Sequence, residues 1–245
     1  MKQTQYVQTS LPNALCIIPA RGGSKRIKDK NIRLFRGRPM IEWSIEAARS
    51  SKIFSRIIVS TDSEKISSVA KQAGAEVPFM RPKSLADDYT DTRSVIEHAI
   101  NKLEHYSDNL CICCLYATAP FAKSCEIAKG LEYLKRSKPC SVVFTATSFP
   151  FPIQRAVRIN SQGYSRPFDK NSITKRSQDL EEYYHDAGQF YWAEASTWLD
   201  KLNILEKGRP MVIPRYRVQD IDTEEDWIRA ELMHEILNKE QRYVK

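Results

Sequence analysis

Two short stretches near opposite ends of the sequence carry residue types that do chemistry together. The first is Ala20-Arg21-Gly22-Gly23-Ser24-Lys25-Arg26. Its two glycines let the backbone come close to an anion, Ser24 adds a hydroxyl donor, and Arg21, Lys25 and Lys30 add positive charge. The loop suits a triphosphate. It is neither the G-x-x-x-x-G-K-[ST] of P-loop ATPases nor the G-x-G-x-x-G of dinucleotide folds, which weakens both of those readings. The second stretch is Val218-Gln219-Asp220-Ile221-Asp222. Acids two apart on an extended chain project to one side, close enough to share a hard cation, so Asp220 and Asp222 are the candidate metal ligands and magnesium the expected cofactor. Each stretch alone has a bland explanation, a solvated or nucleic-acid-facing basic turn and a pair of surface acids or helix caps. Together they are what a metal-bound nucleoside triphosphate requires.

The elements that must position these residues follow from the hydrophobic pattern. Apolar runs at 15–19, 56–60, 77–80, 110–115 and 141–147 read as buried strands. Helical patterns read over 39–50, from 61 or 62 to about 74, and over 91–104 and 124–136. Pro39 opens the first helix, Thr61 or Asp62 is placed to cap the second, and Gly74 stops it. Strands alternating with helices of this length predict an α/β fold, Rossmann-like and doubly wound around a mostly parallel sheet. From about 150 to 182 the chain turns polar and turn-rich, with a hairpin expected at Asn160-Ser161-Gln162-Gly163. This is read as a small insertion in a single domain over 1–245, serving dimerisation or substrate binding. Strands are expected again at 189–192 and 211–213, and Thr223 with Asp226 resembles a capping box opening a C-terminal helix. In open parallel sheets ligands bind beyond the carboxyl ends of the strands. That rule places the basic loop at a site and adds Tyr116 and Thr118, after the fourth strand, as substrate contacts.

Charge and composition narrow the partners. Of a formal net charge of +8, almost all lies in 21–38, where eight Lys or Arg face one acid, Asp29. A cluster this local implies a site for an anion rather than a generally basic surface. With 42% hydrophobic and 28% charged residues the chain has an ordinary globular composition. No apolar run approaches the ~18 residues that cross a bilayer, and the N-terminal stretch is too polar for an export signal, so no membrane partner and a cytoplasmic location are expected. Six cysteines with one C-x-x-C match, Cys111 with Cys114, give neither a second metal-binding pair nor a disulfide framework and are read as reduced core residues.

The segments Ile17-Ile18-Pro19-Ala20-Arg21-Gly22-Gly23-Ser24-Lys25-Arg26, Lys30-Asn31, Ile58-Val59-Ser60-Thr61-Asp62, Arg81-Pro82 and Asp220-Ile221-Asp222-Thr223-Glu224-Glu225-Asp226-Trp227 occur in order along most of the chain. The set resembles the cytidylyltransferases that activate sialic-acid-like sugars. Tyr116-Ala117-Thr118-Ala119-Pro120-Phe121 departs from the L-Q-P-T-S-P-L-R common in sialic acid synthetases. With Arg176-Ser177-Gln178-Asp179-Leu180 and Tyr183 to Trp192, it resembles the branch acting on pseudaminic acid. The resemblance implies a nucleotidyltransferase fold and a homodimer that joins CTP to a nine-carbon keto-sugar acid and releases pyrophosphate. Legionaminic and N-acetylneuraminic acid are the alternative acceptors. It assigns the CTP phosphates to Arg21, Gly22, Gly23, Ser24, Lys25, Lys30 and Asn31, the nucleotide also to Arg81, and magnesium to Asp220 and Asp222. Arg21, Lys25 and Asp222 are then the catalytic set, with no nucleic-acid partner. Arg176 is a candidate for the sugar carboxylate because a guanidinium fork fits it. His185 qualifies as a general base by type alone and is read as structural.

Overall fold

The computed structural model describes residues 14–103, 107–136, 142–200, 205–206 and 208–243. Its centre is a six-stranded sheet of β1 (Ala14–Pro19), β4 (Arg56–Ser60), β5 (Cys111–Leu115), β6 (Val142–Ser148), β9 (Tyr184–Glu194) and β10 (Gly208–Val212), in the order β10-β6-β9-β5-β1-β4. Pairs β1–β4, β1–β5 and β10–β6 are parallel, and β9 runs antiparallel to both its neighbours. Two short pairs stand outside it: β2 (Leu34–Phe35) with β3 (Arg38–Pro39), and β7 (Val157–Ile159) with β8 (Ser165–Pro167).

Alternation along the strands builds a core on each face. Cys16, Ile18, Cys113, Leu115, Val143, Phe190 and Trp192 point to one side. There they meet α1 (Met40–Ser51), α2 (Glu64–Gln72) and α4 (Ser124–Arg136) through Ile41, Ile45, Ile66, Ala70, Ile127 and Leu131. Leu15, Ile17, Ile112, Cys114, Phe144 and Tyr191 point to the other, against Ile96 and Ile100 of α3 (Thr92–Asn101) and Trp198 of α5 (Ala195–Leu199). Helices on both faces are the doubly wound arrangement expected. Burial pushes the Cys111, Cys113 and Cys114 thiols up, which keeps them unreactive in these cores. A third cluster seats α6 (Glu224–Tyr243), where Trp227 and Ala230 pack with Ile27, Phe35, Met40 and Phe121.

Two local readings are corrected. The segment expected as a strand over 77–80 touches the sheet only through single bridges, Ile58 with Glu76 and Thr61 with Met80. Pro78 between them has no N–H to give a ladder. The cap of α2 is Ser63, whose hydroxyl accepts from Ile66 N–H, not Thr61 or Asp62. The strand expected over 141–147 is described from Val142, and Ser141 lies outside the described residues. The expected capping box is present: Thr223 Oγ1 accepts from Asp226 N–H and the Asp226 carboxylate from Thr223 N–H. The hairpin turn also forms, with Gly163 at φ +83°.

Candidate active site

The carboxyl ends of β1, β4 and β5 open on one side of the sheet, and three loops leave there. The loop after β1 carries the glycines and cations. Asp62, just past β4, accepts Gly22 N–H at 2.8 Å, and Asn31 donates its side-chain amide to the Arg21 carbonyl at 2.9 Å, so the loop is held at both sides. A Cβ on Gly22 would stand 2.9 Å from Ser63 Cβ, closer than packed carbons approach; one on Gly23 would meet nothing.

The structure brings the C-terminal acids to this loop across some 190 residues of chain. Lys30 Nζ donates to the Ile221 carbonyl at 2.7 Å and reaches Asp222 Oδ1 at 3.2 Å, and Arg26 pairs with Asp222 Oδ2 at 2.9 Å. Arg33 and Arg36 pair with Glu224 and Glu235 of α6. On the other flank Arg21 donates to Asp88 Oδ1 and to the Asp87 carbonyl, each at 2.6 Å, and Lys25 pairs with Asp88 at 2.5 Å. Lys25 and then Arg21 hold the Asp88 carboxyl below its usual range. Most cations of the basic segment are thus matched by carboxylates of later segments.

Two adjoining cavities share this loop. One, of about 320 Å³, is lined by Arg21, Ser24, Lys25, Arg26, Lys30 and Asn31 together with Asp88 and Asp222. The other, of about 290 Å³, runs from Arg21 and Asn31 past Arg81 to Thr92, Tyr116 and Thr118. Arg81 is buried, its nearest acid is Asp62 at 4.0 Å, and its Nε and Nη2 have no hydrogen-bond partner in the fold. Burial first, and Arg21 in addition, lower its pKa against the pull of Asp62. A buried guanidinium left this way fits a ligand oxygen that completes it.

Asp220 stands exposed next to Asp222, yet the protein packed around its carboxyl raises its pKa, and the Asp222 charge raises it further. Among the described residues no group of three His, Cys, Asp or Glu is arranged to hold a metal. Two crowded carboxylates beside a phosphate-sized cavity do fit magnesium, which takes one or two protein carboxylates and fills its shell from phosphates and water.

Arg176 is not brought to either cavity. It lies in the insertion, with a largely exposed side chain whose fork is closed on Asp179 at 2.7 and 3.0 Å. His185 is engaged structurally, Nδ1 at 2.8 Å from the Asp186 carbonyl and its ring against Phe149. Asp62, Asp88 and Thr92 were missed by the reading of the sequence. The rule that led to the loops after the first and fourth strands also covers the positions after the second and third, and would have reached Asp62 and the 81–92 stretch.

A family model described as cytidylyltransferase matches residues 15–225. The chain is 42% identical over 226 residues to the pseudaminic acid cytidylyltransferase of Campylobacter jejuni subsp. jejuni serotype O:2, covering 91% of this chain and 96% of the relative. It is 34% identical to a CMP-N,N'-diacetyllegionaminic acid synthase of Legionella pneumophila, covering 92% and 97%. Among solved structures, a CMP:2-keto-3-deoxy-manno-octonic acid synthetase complexed with CTP shares the fold, with TM-score 0.65 and 18% identity over 91% of this chain and 99% of that one. A cation-lined loop at the sheet's carboxyl edge, faced by the aspartates of a segment some 190 residues away, therefore occurs in a chain that belongs to the cytidylyltransferase family.

Proposed function

We propose that this enzyme transfers the cytidylyl group of CTP to pseudaminic acid, giving CMP-pseudaminic acid and pyrophosphate. The observation that carries the reading is the meeting of Arg21, Ser24, Lys25 and Lys30 with Asp222 around one cavity, in a chain 42% identical to an enzyme named for that substrate. The anomeric hydroxyl attacks the α-phosphorus in line. Arg21 and Lys25 leave Asp88, and Lys30 leaves Asp222, to hold the phosphates, and Arg81 completes its hydrogen bonds on the nucleotide. Asp220 and Asp222 would hold magnesium, which supplies neutralisation of the charge on the departing pyrophosphate. Against a nucleic-acid surface stands the pairing of Arg26, Arg33 and Arg36 with acids of the C-terminal segment.

The enzyme works as a homodimer in the cytoplasm on this reading. Phe151, Ile159, Tyr164 and Phe168 of the insertion are exposed, an apolar set that a second copy would cover. Arg176, outside both cavities of its own chain, would reach the sugar carboxylate only in that assembly.

Pyrophosphate release from each of the four nucleoside triphosphates, with pseudaminic, legionaminic and N-acetylneuraminic acid as acceptors, tests the reading. CTP with pseudaminic acid is expected to stand at least tenfold above every other pair. Equal or faster turnover of legionaminic acid would move the assignment to that acid, and no turnover of CTP would end it. In the same assay Asp222→Asn is expected to lower kcat by about 100-fold across a magnesium titration.

A further inference from the structure

Asp220 and Asp222 lie on a stretch, 218–223, that belongs to no helix or strand. A carboxylate on irregular backbone is aimed only as well as that backbone is held. Four ties hold it here. The Asp220 carbonyl accepts from Gln219 Nε2 at 3.0 Å and the Ile221 carbonyl from Lys30 Nζ at 2.7 Å. The N–H groups of Asp222 and Thr223 both donate to Asp226 Oδ2, at 3.2 and 2.9 Å. Between the two acids the Ile221 side chain is buried with Trp227 in the core under α6, which fixes the alternation that leaves Asp220 exposed and Asp222 half-buried.

Asp226 makes more bonds than a helix cap requires. The cap of α6 is the exchange between Thr223 and Asp226, in which Thr223 Oγ1 accepts Asp226 N–H at 3.2 Å and donates to Asp226 Oδ2 at 2.8 Å. The same carboxylate also takes the Asp222 N–H and, on Oδ1, Gln219 Nε2 at 3.0 Å. Gln219 is half-buried, and its one amide nitrogen spans the Asp220 carbonyl and the Asp226 carboxylate, with one N–H for each. Both oxygens of Asp226 are thus turned onto the 219–223 stretch, and Asp226 lines neither cavity of the site. Asp222, by contrast, faces Lys30 and Arg26 of the basic loop.

We propose that Gln219 and Asp226 are positioning residues for the metal: they act by fixing the backbone of 220–223 so that the Asp220 and Asp222 carboxylates are presented together beside the basic loop. The proposal rests on the cytidylyltransfer reading above, in which those two acids hold magnesium against the phosphates of CTP. Groups that orient metal-binding side chains typically cost about 10- to 100-fold in metal affinity when removed. Gln219 separates this role from capping. It takes no part in the exchange between Thr223 and Asp226, so losing its amide leaves the start of α6 closed while freeing the Asp220 carbonyl and one side of Asp226.

The test is calorimetry of CTP binding to the full chain, in EDTA and then in saturating magnesium, with folding checked by thermal denaturation. For the parent, magnesium is expected to tighten CTP by about tenfold or more. Gln219→Met keeps the length of the side chain and loses the amide, and is expected to keep a gain of about threefold or less, with the Kd in EDTA within about twofold of the parent. Asp226→Asn is expected to lose the gain as fully. Thr223→Val removes the capping hydroxyl and leaves Gln219 and the Asp222 N–H on Asp226; it is expected to lower the melting temperature and to keep the gain within about twofold of the parent's. A folded Gln219→Met with the parent's full gain overturns the proposal. So does a loss of CTP affinity in EDTA as large as that in magnesium, which marks damage to the whole site, and so does a Thr223→Val that loses the gain as fully as Gln219→Met. A parent that binds CTP equally with and without magnesium overturns the metal's place on Asp220 and Asp222, and this proposal with it, while the cytidylyltransfer reading stands. A parent that binds no CTP overturns that reading as well.

Discussion

Arg81 shows how a single side chain at this site is costly to the fold. Its guanidinium is buried, two of its nitrogens have no partner, and the nearest carboxylate lies at the limit of an ion pair. Replacing a buried charge of this kind with an apolar group of similar length often stabilises by about 1–3 kcal/mol. Arg81→Met is therefore expected to raise the melting temperature in thermal denaturation while weakening CTP binding at least tenfold by calorimetry. A second buried group sets a pH dependence. His234 sits among Trp43, Phe35 and Phe121, accepts from the Asn238 amide, and feels the positive charge of Arg36. Burial first and Arg36 second lower its pKa from the ordinary 6.5. Between the lowered value and 6.5 the unfolded chain binds the proton and the folded chain does not, so stability falls as pH drops through this window. His234→Gln is expected to flatten that acid-side loss in urea melts at a series of pH values. At this scale Arg21, Lys25 and Lys30 were legible as candidates because their charge is local and unbalanced, and Asp222 because it stands two residues from Asp220. Asp88 and Thr92 were not, since their part comes from lying across the cavity from residues far away in the chain.

Among the elements, α4 shows a close approach that competes with helix propensity. Gly130 lies mid-helix against the sheet, and a Cβ there would come within 2.7 Å of Trp192 Cδ1 and 3.0 Å of Phe190 Cε2. The indole cannot swing aside cheaply, because its Nε1 donates to the Ile127 carbonyl of the same helix at 3.1 Å. Alanine would gain about 1 kcal/mol of helix propensity, while overpacking costs about 1–3 kcal/mol. The clash wins: Gly130→Ala is expected to destabilise in denaturant unfolding, against the usual sign for an exposed helix. Most strands and helices were readable from their periodicity, and α4 was read with its observed bounds. The segment around Pro78 was misread because apolar content suggested a strand where the missing N–H leaves isolated bridges. The bulge of β9 had no visible signal beyond Gly188, since its geometry depends on Thr145 of another strand.

For the molecule as a whole, the alternating pattern was enough to read an α/β chain with a mostly parallel sheet. The place of β9 was not readable, because strand order is set by which edges meet in space. β9 lies between β5 and β6, with Ser148 paired to Tyr184 where the insertion leaves and returns. The insertion is therefore an enlarged hairpin loop, and cutting it need not disturb the ladder. Replacing 150–182 by a short Gly-containing turn is expected to leave far-UV circular dichroism and CTP binding near those of the parent. The same variant is expected to run as a monomer in light scattering and to lose turnover of the sugar acid.

A segment whose two ends stand one ladder rung apart is topologically cheap to alter. Lineages with this scaffold can lengthen, trim or exchange that arm without re-registering a single strand, so on the proposed reading choice of acceptor and of mating surface can drift while the phosphate-gripping edge stays as it is.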